Sequence, residues 1–142
     1  MHHILEEILN RCAAIEILER RNVAEQSCDL VFSAKNREDV NRLFGDIFGL
    51  PLKPTGESPG LWHRLITRKY GGIRRHQKLF AKRYDSENMT AIAMFRPWKY
   101  GKYFTVKLAV VSNTELEKVG PTLGSALAAW LTRLFCRPSR SA

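Results

Sequence analysis

The chain has 142 residues, of which 44% are hydrophobic and 26% are charged, and its formal net charge is +9. This length suits one well-cored domain, and the composition excludes an intrinsically disordered chain. The longest apolar stretch, residues 123–135, contains Arg133 and is too short to span a bilayer. An excess of Lys and Arg favours an anionic partner such as nucleic acid, although net charge alone does not identify it.

The three cysteines argue against an extracellular or zinc-binding domain. Cys12, Cys28 and Cys136 are odd in number and far apart, and none belongs to a CxxC pair. Neither a disulfide framework nor a metal site is therefore predicted. The first twelve residues are interrupted by acidic side chains and do not form a signal peptide. We expect a cytoplasmic protein that carries no cofactor and does not associate with membranes.

The first half of the chain is predicted to begin with a helix, a strand and a second helix. Apolar residues recur at helical spacing over residues 3–22, and residues 28–33 form a short apolar strand. Asn36 is placed to cap a helix that ends before Gly49, where glycine and then proline stop it. Three prolines and two glycines predict a loop over residues 51–60.

The second half is predicted to form an antiparallel meander followed by a helix. Short breaks rich in Gly, Asn and Asp separate four strand-like runs, as in a chain of hairpins. These runs are residues 61–70, 73–84, 89–97 and 102–112. A short helical turn and a final helix over residues 122–136 follow.

The predicted class is α+β, in the order α-β-α-β-β-β-β-α. A largely antiparallel four- to five-stranded sheet has its helices packed on one face, and its other face is free. The single domain covers residues 1–136, and residues 137–142 form a flexible tail.

Positive charge is concentrated in one third of the chain. Residues 64–107 hold 12 Lys and Arg against 2 Asp and Glu, whereas residues 1–60 hold 7 against 10. If Gly71 and Gly72 form a hairpin turn, cationic residues lie opposite one another on both faces, and like charges in such pairs are destabilising. The hairpin tip is therefore expected to protrude into solvent, where it could follow a phosphate backbone. A tip that is charged for solubility alone is the competing interpretation.

A second basic cluster, residues 95–104, interleaves cations with aromatic residues, a combination that suits single-stranded nucleic acid. Alternate turns of a meander lie at the same end of its sheet, so both clusters are expected to form one surface. Trp98 and Tyr103 could instead close the end of the core. The predicted nucleic-acid contacts are Arg68, Lys69, Tyr70, Arg74, Arg75, Lys78, Lys82, Arg83, Arg96, Trp98, Lys99, Tyr100 and Lys102.

Catalytic signals are weak, and no catalytic residue is predicted. The four histidines lack the spacing of metal ligands, and neither a nucleophile motif nor a phosphate-binding loop occurs. The leading hypothesis is therefore a non-enzymatic nucleic-acid-binding domain. One alternative is a small-molecule-binding or enzymatic domain with an anionic ligand. Another is a homo-oligomeric module in which a second subunit covers the apolar strand at residues 89–95.

Two fold families share part of this pattern. CDLVFSAKNREDVNRLFGDIFGLPLKP, residues 28–54, loosely resembles the opening strand and helix of vicinal oxygen chelate modules. The metal-binding His and Glu of that family have no clear counterpart in this chain. The order helix, strand, helix and meander also resembles the cone-shaped NTF2-like fold. Either resemblance implies a small-molecule site on an α+β scaffold.

Overall fold

The computed structural model of the protein describes residues 1–119, and the side chains through residue 117. The helix predicted over residues 122–136 and the tail predicted over residues 137–142 lie outside the described residues. The helices are α1 (His3–Cys12), α2 (Arg37–Phe48), α3 (Leu61–Thr67) and α4 (Asn113–Val119). The strands are β1 (Glu19–Arg21), β2 (Ser27–Ser33), β3 (Lys78–Tyr84), β4 (Met89–Pro97) and β5 (Tyr103–Ser112).

The predicted class is confirmed, because the five strands form one antiparallel sheet with helices packed against it. The strand order is β1-β2-β5-β4-β3, so the last three strands form the predicted meander. The N-terminal pair joins the sheet through β2, which lies alongside β5 from Ser27↔Ala109 to Ser33↔Tyr103. Among the described residues, the structure contains no helix with the length and hydrophobicity of a membrane-spanning segment.

Helices α1 and α2 pack on one face of this sheet, hereafter face A. The stripe of α1 buries Ile4, Leu5 and Ile8, and α2 buries Val40 and other apolar side chains of its inner stripe. Alternate residues of each strand point toward face A, because successive side chains of a strand lie on opposite faces of the sheet. An aromatic group closes this core and comprises Phe32, Phe44, Phe48, Phe80, Phe95 and Phe104.

The opposite face, face B, is also covered, so the prediction that helices occupy one face is wrong. Trp62 and Ile66 of α3 and Leu116 of α4 pack with a second cluster of buried residues. That cluster includes Ile92 and Met94, which alternate with the face A residues of β4. Because β4 is covered on both faces by its own chain, its apolar sequence does not require a second subunit.

The predicted hairpin at Gly71 and Gly72 is wrong, because residues 61–67 are helical. Trp62, Leu65 and Ile66 recur at helical spacing, and no clean alternation of apolar and polar residues competes with it. The Gly60 amide donates to His63 Nδ1 at 3.0 Å, which satisfies one of the free amides at the helix start. A 3₁₀ turn, Arg68–Tyr70, follows α3 and ends at Gly71, whose φ of 92° suits glycine.

Strand β3 therefore pairs with β4 alone among the described strands. Residues 73–77, which the sequence predicts as the start of this strand, belong to a loop. The first helix also ends earlier than the periodicity predicts, at Cys12 instead of residue 22. Ile15 and Ile17 lie in the connection after α1 and continue its apolar pattern, because they pack against the same core as the helix. The edge strand β1, which the sequence did not indicate, consists of three exposed charged residues.

Candidate nucleic-acid interface

One end of the sheet gathers many of the cations of the second half of the chain. Here β2 and β4 end, and β3, β5 and α2 begin. No Asp or Glu occurs at residues 58–84 or 88–114, so the loop before β3, the end of β4 and the β4–β5 turn are free of acids. The segments beside them do carry acids, which are Glu57 in the 51–60 loop, and Glu38 and Asp39 in the first turn of α2. We refer to this end of the sheet as the basic end. Its predicted site residues are Arg74, Arg75, Lys78, Arg96, Lys99 and Lys102.

Arg96 holds the loop after α3 against the end of β4. Its Nη2 donates to the carbonyl oxygen of Tyr70 and, at 3.2 Å, to that of Gly72. Burial lowers the pKa of Arg96, and the positive charge of Arg74 lowers it further, although Asp29 opposes this shift. The guanidinium thus has a structural role in joining the two basic segments that the sequence predicts to share one surface.

Lys53 fixes the other side of the same loop. The side chain is completely buried, and Nζ donates to the carbonyl oxygens of Pro54 at 2.9 Å, Arg75 at 3.0 Å and Gln77. These three bonds use all three donors of an ammonium group. Burial lowers the pKa of Lys53. Two internal cations, Lys53 and Arg96, therefore give the loop that carries Arg74 and Arg75 a defined conformation.

Arg74 and Arg75 are exposed in this loop, but they differ in their freedom. The Arg75 Nε donates to the carbonyl oxygen of Gly56 at 2.9 Å, and the Gly56 amide donates back to the Arg75 carbonyl at 2.9 Å. The backbone of Arg74 is held by Gln77, whose Oε1 accepts from the Arg74 amide. The backbone is thus fixed at both arginines, and the Arg74 side chain extends from it into solvent.

The connection between β4 and β5 presents two exposed lysines and one exposed ring. Lys99 and Lys102 lie in this turn, and Tyr100 is 84% exposed. Trp98 instead folds back on face B, where its ring lies 5.1 Å from that of Tyr103 and its Nε1 donates to Thr105 Oγ1. The guanidinium carbon of Arg21 lies 5.3 Å from the centre of the Trp98 ring. Tyr100 is therefore much better placed than Trp98 to stack on a base.

Three predicted residues lie in the 3₁₀ turn after α3, over face B. Arg68 and Lys69 are exposed in the 3₁₀ turn, and the half-buried Tyr70 ring lies 5.9 Å from Lys107 Nζ. Lys69 and Tyr70 line a depression beside residues 24–27, which include Glu25 and precede β2. Because the negative charge of Glu25 would repel a phosphate, this depression is a poorer phosphate site than the basic end.

Two further predicted residues lie toward the far end of β3. Lys82 and Arg83 are four and five residues beyond Lys78, which is roughly 13 to 17 Å along a strand. Lys82 is exposed, with Nζ 5.0 Å from the centre of the Tyr84 ring, whereas Arg83 forms an ion pair with Asp85. Neither residue contributes to the basic end.

Sequence reasoning missed a cavity of about 100 Å³ at the face A side of the basic end. Residues from α2, the 51–60 loop and the sheet surround it, so no local motif identifies it. The signal that could have found it is the position of Arg37 in the first turn of α2, at the same end as the start of β3. The lining residues are Arg37, Asn41, Thr55, His76, Lys78, Phe95, Pro97 and Phe104.

The histidines do not form a metal site in the part of the chain that is described. No group of three or more His, Cys, Asp or Glu side chains within residues 1–117 is arranged to hold a metal ion. No family model matches the chain, and no curated protein or solved structure matches it either. The function has to follow from the geometry of the chain itself.

Proposed function

We propose that the protein binds nucleic acid through the phosphate backbone, using the cations of the basic end. The observation that carries this proposal is the absence of acids from the loop before β3 and from the β4–β5 turn, which Arg96 brings together. Each Lys or Arg that neutralises a phosphate releases condensed counterions, so such a surface binds without reading sequence.

The conformation of the basic loop favours binding over a role in solubility alone. A tip that serves solubility needs charge but no fixed geometry, whereas this loop is held by the ammonium of Lys53 and the guanidinium of Arg96. A fixed loop loses less conformational freedom when it binds. Tyr100, at the tip of the neighbouring turn, adds a surface on which one base of a single strand can stack.

The test is fluorescence anisotropy with labelled single-stranded and duplex DNA and RNA at several salt concentrations. If Arg74, Arg75, Lys99 and Lys102 each meet a phosphate, log Kobs should fall against log salt with a slope of roughly −3.6 for a duplex. Between about 50 and 200 mM salt this slope weakens binding roughly 100-fold. A protein that shows no binding at low salt contradicts the proposal.

A matched pair of variants tests where the nucleic acid lies. Lys99→Ala/Lys102→Ala removes two cations from the basic end and should reduce the slope by roughly 1.8. Lys69→Ala/Lys82→Ala removes the same charge from outside it and should change the slope much less. Equal losses in both variants would show that net charge, and not the basic end, drives binding.

We further propose that the protein works as a non-enzymatic domain in the cytoplasm. Cys12 and Cys28 are both buried free thiols, as expected in a reducing compartment. Self-association is not required by this proposal, since the chain itself covers both faces of β4. Light scattering at two protein concentrations checks this, and a stable dimer would show that another surface mediates assembly.

A further inference from the structure

A small cavity at the basic end combines cations, an amide and an aromatic floor. Arg37 enters it from the first turn of α2 and Lys78 from the start of β3. His76 and Thr55 come from the two segments that Lys53 ties together. None of the described residues that line this cavity is acidic.

The Lys78 ammonium is held in a defined position within this cavity. Its Nζ donates to Asn41 Oδ1 at 2.9 Å and lies 5.7 Å from the centre of the Phe95 ring. An ammonium has three donors, and Asn41 accepts from one of them. Burial lowers the pKa of Lys78, and the like charge of Arg37 lowers it further. An anion in the cavity would relieve this repulsion and would accept from the remaining donors.

The floor of the cavity strengthens such an interaction. Phe95 and Phe104 are almost completely buried, and the Arg37 guanidinium carbon lies 5.9 Å from the centre of the Phe104 ring. Apolar surroundings reduce the screening of a charge by water, so an ion pair there is stronger than on an open surface. Arg37 also lies at the start of a helix of 12 residues, where the helix dipole adds positive potential that Glu38 and Asp39 of the same turn oppose.

The size of the cavity limits the anion that fits. Its volume of about 100 Å³ is well below that of pockets for drug-sized ligands, which measure about 300 to 1,000 Å³. A single tetrahedral oxyanion fits within this volume. A phosphomonoester carries a charge of about −1.5 to −2 and offers three terminal oxygens to several donors at once.

We infer that the cavity formed by Arg37, Asn41, His76 and Lys78 binds a phosphomonoester group. This goes beyond backbone binding, because a backbone phosphodiester continues in two directions and suits an open surface. A monoester leaves the cavity through a single ester bond. The group could be the terminal phosphate of a nucleic acid or the phosphate of a small metabolite.

The test is an NMR titration of the isotope-labelled full chain with methyl phosphate and, as the matched diester, dimethyl phosphate. Methyl phosphate should give saturable shifts at Arg37, Asn41 and Lys78, with at least tenfold tighter binding than dimethyl phosphate. Shifts that do not saturate, or equal binding of the two esters, would overturn the inference. This comparison uses the wild-type protein and does not depend on the folding of a variant.

Two variants of equal charge locate the site. Arg37→Gln/Lys78→Met should weaken methyl phosphate binding at least tenfold. Lys35→Gln/Lys82→Met removes two exposed lysines, one in the turn before α2 and one on the same face of β3 as Lys78, and should leave binding unchanged. Equal losses in both variants would again overturn the inference, because bulk charge would then explain the binding.

The source of the phosphate is assigned by comparing 5′-phosphorylated and 5′-hydroxyl oligonucleotides of one sequence. Tighter binding of the phosphorylated strand, lost in Arg37→Gln/Lys78→Met, assigns a nucleic-acid end. Equal binding of the two strands, with methyl phosphate still saturating the cavity, assigns a small phosphorylated molecule. A protein that binds methyl phosphate but no oligonucleotide would contradict the proposed function and leave this inference standing.

Discussion

Replacing Lys53 by methionine tests whether a buried ammonium holds the basic loop. The substitution keeps the length of the side chain but leaves the carbonyl oxygens of Pro54, Arg75 and Gln77 without their donor. Hydrogen bonds to a charged group contribute about 1.5 to 3 kcal/mol each, or roughly 4.5 to 9 kcal/mol for three. The variant avoids the cost of burying a charge, which is several kcal/mol. We therefore expect a net loss of about 3 kcal/mol in the free energy of unfolding.

Urea unfolding followed by tryptophan fluorescence measures this change. A loss of about 3 kcal/mol corresponds to a melting temperature roughly 9 °C lower for a domain of this size. Hydrogen exchange should also be faster at the Gly56 amide, which bonds the Arg75 carbonyl. Lys82→Met, which replaces an exposed lysine, is the control and should change stability by less than about 0.5 kcal/mol. A Lys53→Met loss below about 1 kcal/mol would mean that desolvation cancels the three bonds, and the reasoning would be refuted.

Three other predictions concern the thiol of Cys12, the turn at Gly71 and Gly72, and the guanidinium of Arg96. Burial raises the pKa of Cys12 to about 12 from an ordinary value of 9.0, so in native protein at pH 8 iodoacetamide should label it far more slowly than in urea. The thiol of the unfolded chain ionises at a lower pH than the buried thiol of the folded protein. The contribution of Cys12 to the free energy of unfolding is therefore complete below about pH 9, and above pH 9 it falls by up to about 1.4 kcal/mol per pH unit. Gly71→Ala and Gly72→Ala should each lower the free energy of unfolding in urea by about 1 kcal/mol or more, because both glycines have positive φ and a methyl at Gly71 would meet Arg96 Nη2 only at the ordinary contact distance of 3.4 Å. Arg96→Gln should speed hydrogen exchange in residues 70–77 but keep the salt slope of nucleic-acid binding, whereas Lys99→Ala should reduce the slope by roughly 0.9.

Each of these predictions has a clear contrary result. Labelling of Cys12 at the same rate in native and denatured protein would contradict its burial. A much larger loss in Gly71→Ala than in Gly72→Ala would mean that a methyl at Gly71 displaces Arg96, and that backbone strain is not the main cost. A reduced salt slope in Arg96→Gln would show that this guanidinium meets a phosphate instead of holding the loop.

Much of the fold follows from local sequence patterns. The position of Asn36, the apolar spacing from Val40 to Phe48 and the stop at Gly49 predict α2 to within a residue of its bounds, but the Asn36 side chain makes no capping hydrogen bond. Strands β4 and β5 also lie where alternation and turn residues indicate. Residues 61–70 are the informative failure, because the neighbouring Gly-Gly suggests a hairpin while Trp62, Leu65 and Ile66 repeat at helical spacing. The contacts that Trp62 and Ile66 make on face B support the helix, and a local pattern does not reveal them.

The candidate site is less accessible to sequence reasoning than the fold. The basic loop and the β4–β5 turn can be assigned to one end of the sheet from strand order alone. Apart from the Pro54 carbonyl beside Lys53, the carbonyl oxygens that Lys53 and Arg96 bind lie 22 to 26 residues away. Both residues therefore look like surface cations in the sequence. Arg37 and Lys78 are likewise 41 residues apart and share a cavity because α2 packs over face A. Such meetings depend on tertiary packing, which periodicity does not encode.

The pairing of β2 with β5 has a consequence for synthesis on the ribosome. The meander can assemble from neighbouring strands, but Phe32 has to wait for its partner Phe104, which lies 72 residues later in the chain. At about 5 to 20 residues per second this interval lasts roughly 4 to 14 s. During that time the apolar face of β2 can be covered by α1 and α2 but has no central strand beside it. The protein therefore depends most on protection from aggregation during the interval in which β2 has been synthesised and β5 has not.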